Sequence, residues 1–391
     1  MPAKGHRKGD GKMSHASRTV VEGSQAVAEA VRQCKPGVVA VYPITPQTHI
    51  AETLAEMVAD GRLDTEMIRV ESEQSAMAAC IGSQATGVRS YTATASQGLA
   101  LMHEILFIAS GMRLPIVMTV ANRSLSAPLS IWNDQQDSFA SRDSGWIQLY
   151  VENAQEAYDT HIQAFRIAQE AENPVMVCLD GYLISHVYEN VKFIKDGDVE
   201  RFLPEYRPRY SLNPKKPVTM GSLGTPQYYM LFKKQQEEAL EASKEVIKRV
   251  NAEFSKTFGR CYGNGLIETI NLDGSDFALI TIGSVTGTVR EVAKREGIGI
   301  IRVRSLRPFP KEDVQEACRG LKSIGVIEKD ISFGSGGALY HEIKSALYSL
   351  DERPVVSSFI AGIGGRDITL NAVESIIKKV KSGSECVEWV L

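Results

Sequence analysis

Residues 38–48 read VVAVYPITPQT, and residues 68–80 read IRVESEQSAMAAC. An apolar, β-branched run that stops at Tyr42-Pro43-Ile44-Thr45-Pro46 predicts a strand ending in a hydroxyl on a proline-stiffened turn. The C-terminal edge of such a strand is where open α/β sheets bind ligands. Met67–Val70 predicts a second strand, which delivers Glu73 into the first turn of an Ala- and Met-rich helix. Burial against Ala76, Met77 and Ala79 is expected to disfavour a charged carboxylate and to suit it to proton chemistry. A glutamate that merely answers the helix dipole is the structural alternative.

Outward from these segments, Val20 to His186 alternates helix and strand. VEGSQAVAEAVRQC, ETLAEMVADG, SAMAACIGSQATG, LALMHEILFIASGM and AQEAYDTHIQAFRIAQEA read as helices, and RSYTATA, PIVMTVA and PVMVCLDG as strands. Unbroken apolar strands between amphipathic helices predict a parallel sheet covered on both faces. From 187 to 226 prolines and charges accumulate, which predicts an extended connector. A long amphipathic helix then runs through QYYMLFKKQQEEALEASKEVIKRVNAEFSKTF, and a second α/β unit starts at Asp276, with PVVSSFIAG as its last clear strand.

The 391-residue length fits two α/β domains better than one core. The net charge of −3 offers no footprint for nucleic acid or an anionic membrane, and no apolar run reaches the roughly 18 residues of a membrane span. Six cysteines, at 34, 80, 178, 261, 318 and 386, contain no CxxC pair, so the chain is expected to hold neither an iron–sulfur cluster nor structural zinc. Reduced, scattered thiols predict a cytoplasmic protein. Residues 1–19 are basic, lack an apolar signal core and are expected to be a disordered tail.

Further polar residues stand at predicted strand ends. Arg123 follows the strand PIVMTVA, where a guanidinium fork could take a carboxylate or join an ordinary surface ion pair. Thr45 and Thr48 could cap the helix that follows them. Ser96, Gln97 and Gly98 should border the same cleft, and Gly98 permits close backbone approach. Trp132, Trp146, His103, His186 and the polar loop 133–146 have equally good packing explanations. Gly9-Asp10-Gly11 spells the start of a metal–diphosphate signature, but no strand precedes it and no asparagine follows at the needed spacing. The FGSGG loop, 333–337, is a weak phosphate-cradle pattern at a helix start and equally a turn or subunit contact.

The stretches YPITPQ, VESEQSA, TASQGLALMHEILFIASG, LSIWNDQQDS, RDSGWIQLY and LRPFP, with EKDISFG and GIGGRDIT, together resemble the α subunits of the 2-oxoacid:ferredoxin oxidoreductases, the pyruvate type most closely. The resemblance implies a pyrimidine-type thiamine-diphosphate domain, doubly wound on a parallel sheet, with its connector over 20–230. A linker helix (231–269) and a transketolase C-terminal-like α/β domain (270–391) would follow. It implies that Glu73, rather than Glu71, hydrogen-bonds the aminopyrimidine ring nitrogen and so makes the cofactor's own amino group a base. Thr45 would lie beside the substrate's keto group and Arg123 on its carboxylate, with Ser96, Gln97 and Gly98 at the cofactor.

A β subunit would carry the diphosphate and Mg²⁺ site and a [4Fe–4S] cluster, so this chain would supply half of each active site and no metal ligand. A γ subunit and a ferredoxin-like δ subunit would complete the complex, with CoA as co-substrate and ferredoxin as electron acceptor. The implied reaction converts 2-oxoacid, CoA and oxidised ferredoxin to acyl-CoA, CO₂ and reduced ferredoxin. Pyruvate is the expected substrate, with 2-oxoglutarate and branched-chain 2-oxoacids as alternatives. A non-redox thiamine carboligase half and a non-catalytic scaffold are the rival classes.

Overall fold

The computed structural model describes residues 18–391. The chain begins with strand β1 (Arg18–Glu22) and helix α1 (Gly23–Cys34), then β2 (Val38–Val41), α2 (Thr48–Ala59), β3 (Glu66–Arg69) and α3 (Glu73–Ala85). It continues through β4 (Ser90–Thr94), α4 (Ser96–Gly111), β5 (Val117–Asn122), α5 (Gln136–Ala140), β6 (Ile147–Tyr150), α6 (Ala154–Ala171) and β7 (Val175–Asp180). Strand β8 (Tyr188–Lys192), α7 (Asp196–Phe202) and the long α8 (Pro226–Phe258) lead out of this unit. The second unit comprises β9 (Ile267–Ile270), β10 (Phe277–Ile282), α9 (Val285–Glu296), β11 (Gly299–Val303), β12 (Ser305–Arg307), α10 (Lys311–Cys318) and β13 (Ser323–Glu328). It closes with α11 (Ala338–Leu347), β14 (Val355–Ala361), α12 (Leu370–Lys381) and β15 (Val387–Val390).

The first sheet has strand order β12-β6-β7-β5-β4-β2-β3 and is parallel except at its β12 edge. Its inner strands β4, β5 and β7 are buried throughout, as their unbroken apolar or small residues require. From β2 the chain steps outward to β3 and then back across to β4, so the order reverses at β2. The crevice at the C-terminal ends of β2 and β4 is therefore the sheet's natural ligand position.

The second sheet, β15-β14-β13-β10-β11-β9, is parallel except for β9. Ile267–Ile270 thus belongs to it, which moves its start ahead of the boundary expected at 270. Ser305–Arg307, within the second unit in sequence, instead pairs with β6 of the first sheet. Buried charge joins the units as well. Arg302 donates to both Glu156 oxygens (2.5 and 2.9 Å) and Arg304 to one of them (2.7 Å). Burial opposes charge on Glu156, but the two guanidiniums overrule it and hold the carboxyl at about 2.

Three local readings are corrected. Arg18 and Thr19 pair with β8 in an antiparallel ribbon, so this end of the expected tail is ordered; the rest, including Gly9-Asp10-Gly11, lies outside the described residues. The supposed connector contains β8 and α7, whose polar outer residues hid them from pattern reading. The linker helix expected over 231–269 occupies Pro226–Phe258, as the pattern through KTF indicated; it stops at Gly259, in the left-handed region at φ 70°, and its Leu240, Ile247, Val250 and Phe254 face the core beside α6.

Candidate active site

The turn after β2 is fixed by Gln47, whose amide nitrogen and side chain donate to the carbonyls of Ile44 (2.9 Å) and Tyr42 (2.8 Å). Gln47 is fully buried, whereas Thr45 is exposed at the turn's crest. The Thr45 hydroxyl has no hydrogen-bond partner among the described residues, so it is free to serve a ligand.

Arg123 leaves the end of β5 and reaches the same place. Its Nη1 donates to the Thr45 carbonyl at 2.9 Å and its Nε to the Ser130 carbonyl at 3.2 Å. The residue is 8% exposed, yet among the described residues its guanidinium forms no ion pair. A desolvated guanidinium compensated only by carbonyl dipoles is unfavourable unless an anion completes it. Thr45 and Arg123, far apart in sequence, are thus brought together.

Glu73 enters from the next strand. Ser72 caps α3 by accepting from the Ser75 amide at 3.2 Å, which places Glu73 in the first helical turn. Glu73 is 6% exposed, and its carboxylate accepts no hydrogen bond among the described residues. Glu71 is instead exposed, bound to the Ser75 hydroxyl at 2.5 Å, and that bond holds its carboxyl below the ordinary value. The buried residue is therefore the better candidate.

Gly98 explains how that carboxylate is accommodated. A Cβ at Gly98 would fall 2.6 Å from Glu73 Oε1 and 2.5 Å from Thr94 Oγ1. Thr94 Oγ1 is itself buried without a partner. An unpaired carboxylate, an unpaired hydroxyl and a glycine cradle at the switch point suit the aminopyrimidine edge of thiamine diphosphate, which offers both donors and acceptors. The residues present fit that group.

Ser96 and Gln97 turn out differently. The Ser96 hydroxyl lies within hydrogen-bond reach of the Ser124 carbonyl and of Gln97 Oε1, so its one proton is taken up inside the protein. Ser96 shapes the edge of the cleft rather than offering a free group, and Gln97 is half-buried beside it.

Sequence reasoning passed over Asp137. Its Oδ2 accepts from the backbone amides of Ser96 (2.8 Å) and Arg123 (3.0 Å), tying the ends of β4 and β5 together. Its Oδ1 accepts from Asn122 Nδ2 (2.7 Å) and the Ser138 amide (2.8 Å). Burial pushes the Asp137 carboxyl up to about 6 despite these donors. Nothing but the polarity of loop 133–146 signalled it.

The remaining candidates have structural roles. Trp146 is fully buried and donates to the Leu106 carbonyl, while Trp132 is 53% exposed and lies against Tyr182. His103 packs edge-on against Phe107. His186 takes a hydrogen bond with Ser185 and lies beside His49, which bonds Glu22 at 2.7 Å. Those two histidines and Glu22 bring ligand atoms within 4.8 Å, but Glu22 already caps α1. The FGSGG loop cradles no free anion position, because Glu328 fills it by accepting from the Leu339 and Tyr340 amides.

Comparison with known proteins accords with this geometry. The family model for pyruvate flavodoxin/ferredoxin oxidoreductase, thiamine-diphosphate-binding, matches residues 29–252. That for pyruvate:ferredoxin oxidoreductase core domain II matches residues 275–373. Pyruvate synthase subunit PorA of Methanocaldococcus jannaschii is 52% identical over 95% of this chain and 97% of its own. Ketoisovalerate oxidoreductase subunit VorA of Pyrococcus abyssi is 45% identical, again over 95% and 97%.

Among solved structures, a 2-oxoglutarate:ferredoxin oxidoreductase from Magnetococcus marinus superposes with a TM-score of 0.68 at 24% identity. The match covers 94% of this chain and 65% of that one. A split-gene transketolase gives a TM-score of 0.53 at 14% identity over 93% of this chain and 99% of its own. These two show the fold. No helix among the described residues is long and apolar enough to cross a membrane. The family models and the extent of identity establish that the chain belongs to the pyruvate flavodoxin/ferredoxin oxidoreductase family, with the family's thiamine-diphosphate-binding domain as its first unit.

Proposed function

We propose that this chain is the α subunit of a cytoplasmic pyruvate synthase, converting pyruvate, CoA and oxidised ferredoxin to acetyl-CoA, CO₂ and reduced ferredoxin. The observation that carries the reading is the buried Arg123 guanidinium, without an ion-pair partner among the described residues, bonded to the carbonyl of Thr45. A 2-oxoacid always presents the carboxylate that such a group needs. The similarity to PorA subunits selects pyruvate within that class.

Glu73 would hold a proton at the aminopyrimidine ring nitrogen, which its lack of a hydrogen-bond partner among the described residues leaves it free to do. Arg123 would bind and orient the substrate carboxylate, and Thr45 would donate its hydroxyl toward the keto oxygen as negative charge develops there. Gly98 keeps the Glu73 carboxylate in place by leaving it room. Bound thiamine diphosphate supplies the carbon nucleophile and electron sink that side chains lack.

The diphosphate, its Mg²⁺ and the [4Fe–4S] centres belong in this reading to a β subunit and a ferredoxin-like δ subunit, with a γ subunit completing the complex. The scattered cysteines of this chain, four of them separately buried, support that division. The match to VorA favours branched-chain 2-oxoacids as the second reading. The test is CoA-dependent viologen reduction by the anaerobically purified complex with pyruvate, 2-oxoglutarate and 2-oxoisovalerate. Pyruvate should give the highest kcat/KM; preference for 2-oxoisovalerate would transfer the assignment to the second reading, and no reduction with any of the three would leave the carboligase.

A further inference from the structure

We propose that Lys329, on the second domain, is a positioning residue for substrate binding: it fixes the loop that holds Arg123 and the wall beside Thr45. The inference rests on the reading of Arg123 as the carboxylate anchor.

Lys329 stands at the end of β13 and is 3% exposed. Its ammonium donates across the domain boundary to Asp180 Oδ2 at 2.8 Å and Asn133 Oδ1 at 3.0 Å, and within its own domain to Ser284 Oγ at 3.1 Å. Its carbonyl accepts from the Gln135 amide at 2.8 Å. One residue of the second domain therefore grips the first domain at two places.

The first grip is on the loop after β5. Leu125–Trp132 is the most solvent-facing part of this loop. Its base is tied by the Ser124 amide and hydroxyl, both donating to the Trp132 carbonyl at 3.0 Å. Ser130, which orients Arg123 Nε, lies inside that closure. Asn133 and Gln135, at its far end, are the residues Lys329 holds. Asn133 also donates back to the Asn122 carbonyl at 3.3 Å, next to Arg123 in the chain.

The second grip is on the end of β7. Asp180 is 1% exposed and accepts from Lys329, Gln135 Nε2 (2.9 Å) and the Ser284 amide (3.1 Å). Burial opposes its charge, but the Lys329 ammonium prevails and holds the carboxyl below its ordinary value. The next residue, Gly181, lies so close to the cleft that a Cβ there would approach Pro46 Cγ to 2.6 Å. Moving Asp180 therefore moves the surface that backs Thr45–Pro46. The two substrate-facing residues share one distant anchor, and their separation depends on it.

The experiment uses the complete complex carrying Lys329→Met, with Lys329→Met/Asp180→Asn as a second variant that leaves no unpaired buried carboxylate. Arg290→Met is the control, since Arg290 bridges the domains through Glu152, beside its own domain's Glu268, without touching the loop. The positioning role predicts a rise in the pyruvate KM of about tenfold or more in both Lys329 variants, with kcat within about threefold. Hydrogen–deuterium exchange of residues 124–137 should also accelerate, while Arg290→Met leaves KM and loop exchange unchanged. Unchanged KM and exchange in the Lys329 variants, or an equal KM rise in Arg290→Met, would overturn the proposal. If the unsubstituted complex oxidises no 2-oxoacid, the functional reading fails by itself; exchange still decides whether Lys329 holds the loop, and unchanged exchange then overturns the inference independently.

Discussion

The C-terminal edges of the two sheets use the same ingredients to opposite ends. At the first, Glu73 begins α3, Gly98 makes room for it, and neither its carboxylate nor the Arg123 guanidinium has a charged partner among the described residues. At the second, Glu328 faces the start of α11 and Gly337 makes room for it, since a Cβ there would lie 1.7 Å from Oε1. Here the protein supplies partners of its own: Glu328, its carboxyl pushed up to about 8 by burial, accepts from two helix amides, and Lys329 is paired with Asp180. A parallel α/β edge becomes a site when its buried charges are left for a ligand, and a structural joint when the protein satisfies them itself.

The most severe way to probe the contrast is to remove the open charge. Arg123→Met in the complex should lower kcat/KM for pyruvate by about 10²–10³-fold, the worth of a lost charge-assisted pair. A milder prediction concerns the two glycines. Gly98→Ala should displace Glu73 and reduce the specific activity by roughly 10²-fold. Gly337→Ala should cost about 1–3 kcal/mol of stability through overpacking but leave the specific activity of the folded complex unchanged. Thermal melts and steady-state rates on both variants would measure the difference; equal activity loss would erase the distinction between the edges.

The smallest expected effect is on pH. Asp137, raised by burial from an ordinary 3.8 to about 6, holds the Ser96 and Arg123 amides more strongly in its ionised form. The pyruvate KM should therefore rise as pH falls through about 6. Stability carries the opposite sign. Between those values the folded state binds the proton more tightly than the unfolded one, so this group's contribution to stability falls as pH rises across the window. Asp137→Asn should flatten the KM limb near pH 6; an unchanged profile would remove Asp137 from the cleft's chemistry.

The parts of this comparison differ in how plainly the chain announces them. The placement of Thr45, Glu73 and Arg123 just past strand ends was legible because each follows an apolar run, and the fold class puts ligands at that edge. The alternation of strand and helix likewise exposed both parallel sheets. Asp137 and Lys329 were not legible, for a physical reason: their partners lie across loops, as with Lys329 and Asn133, 196 positions apart. Periodicity encodes which face of an element is buried, not which loop meets which. Strand β12 is only three residues long, too short for any period, and is defined by its pairing with β6. The FGSGG loop shows the converse error: the glycine pattern was real, but the group it accommodates is the carboxyl of the protein's own Glu328.

The central claim is that the open edge is half of a thiamine-dependent active site. The most direct measurement is the steady-state rate of CoA-dependent viologen reduction by the purified complex carrying Glu73→Gln, at saturating pyruvate and thiamine diphosphate. Glutamine keeps the shape but cannot hold and release the proton, so the rate should fall by at least about 10²-fold with the complex intact. A rate within about twofold of the unsubstituted complex would contradict the account and leave Glu73 as a helix-start residue on a scaffold.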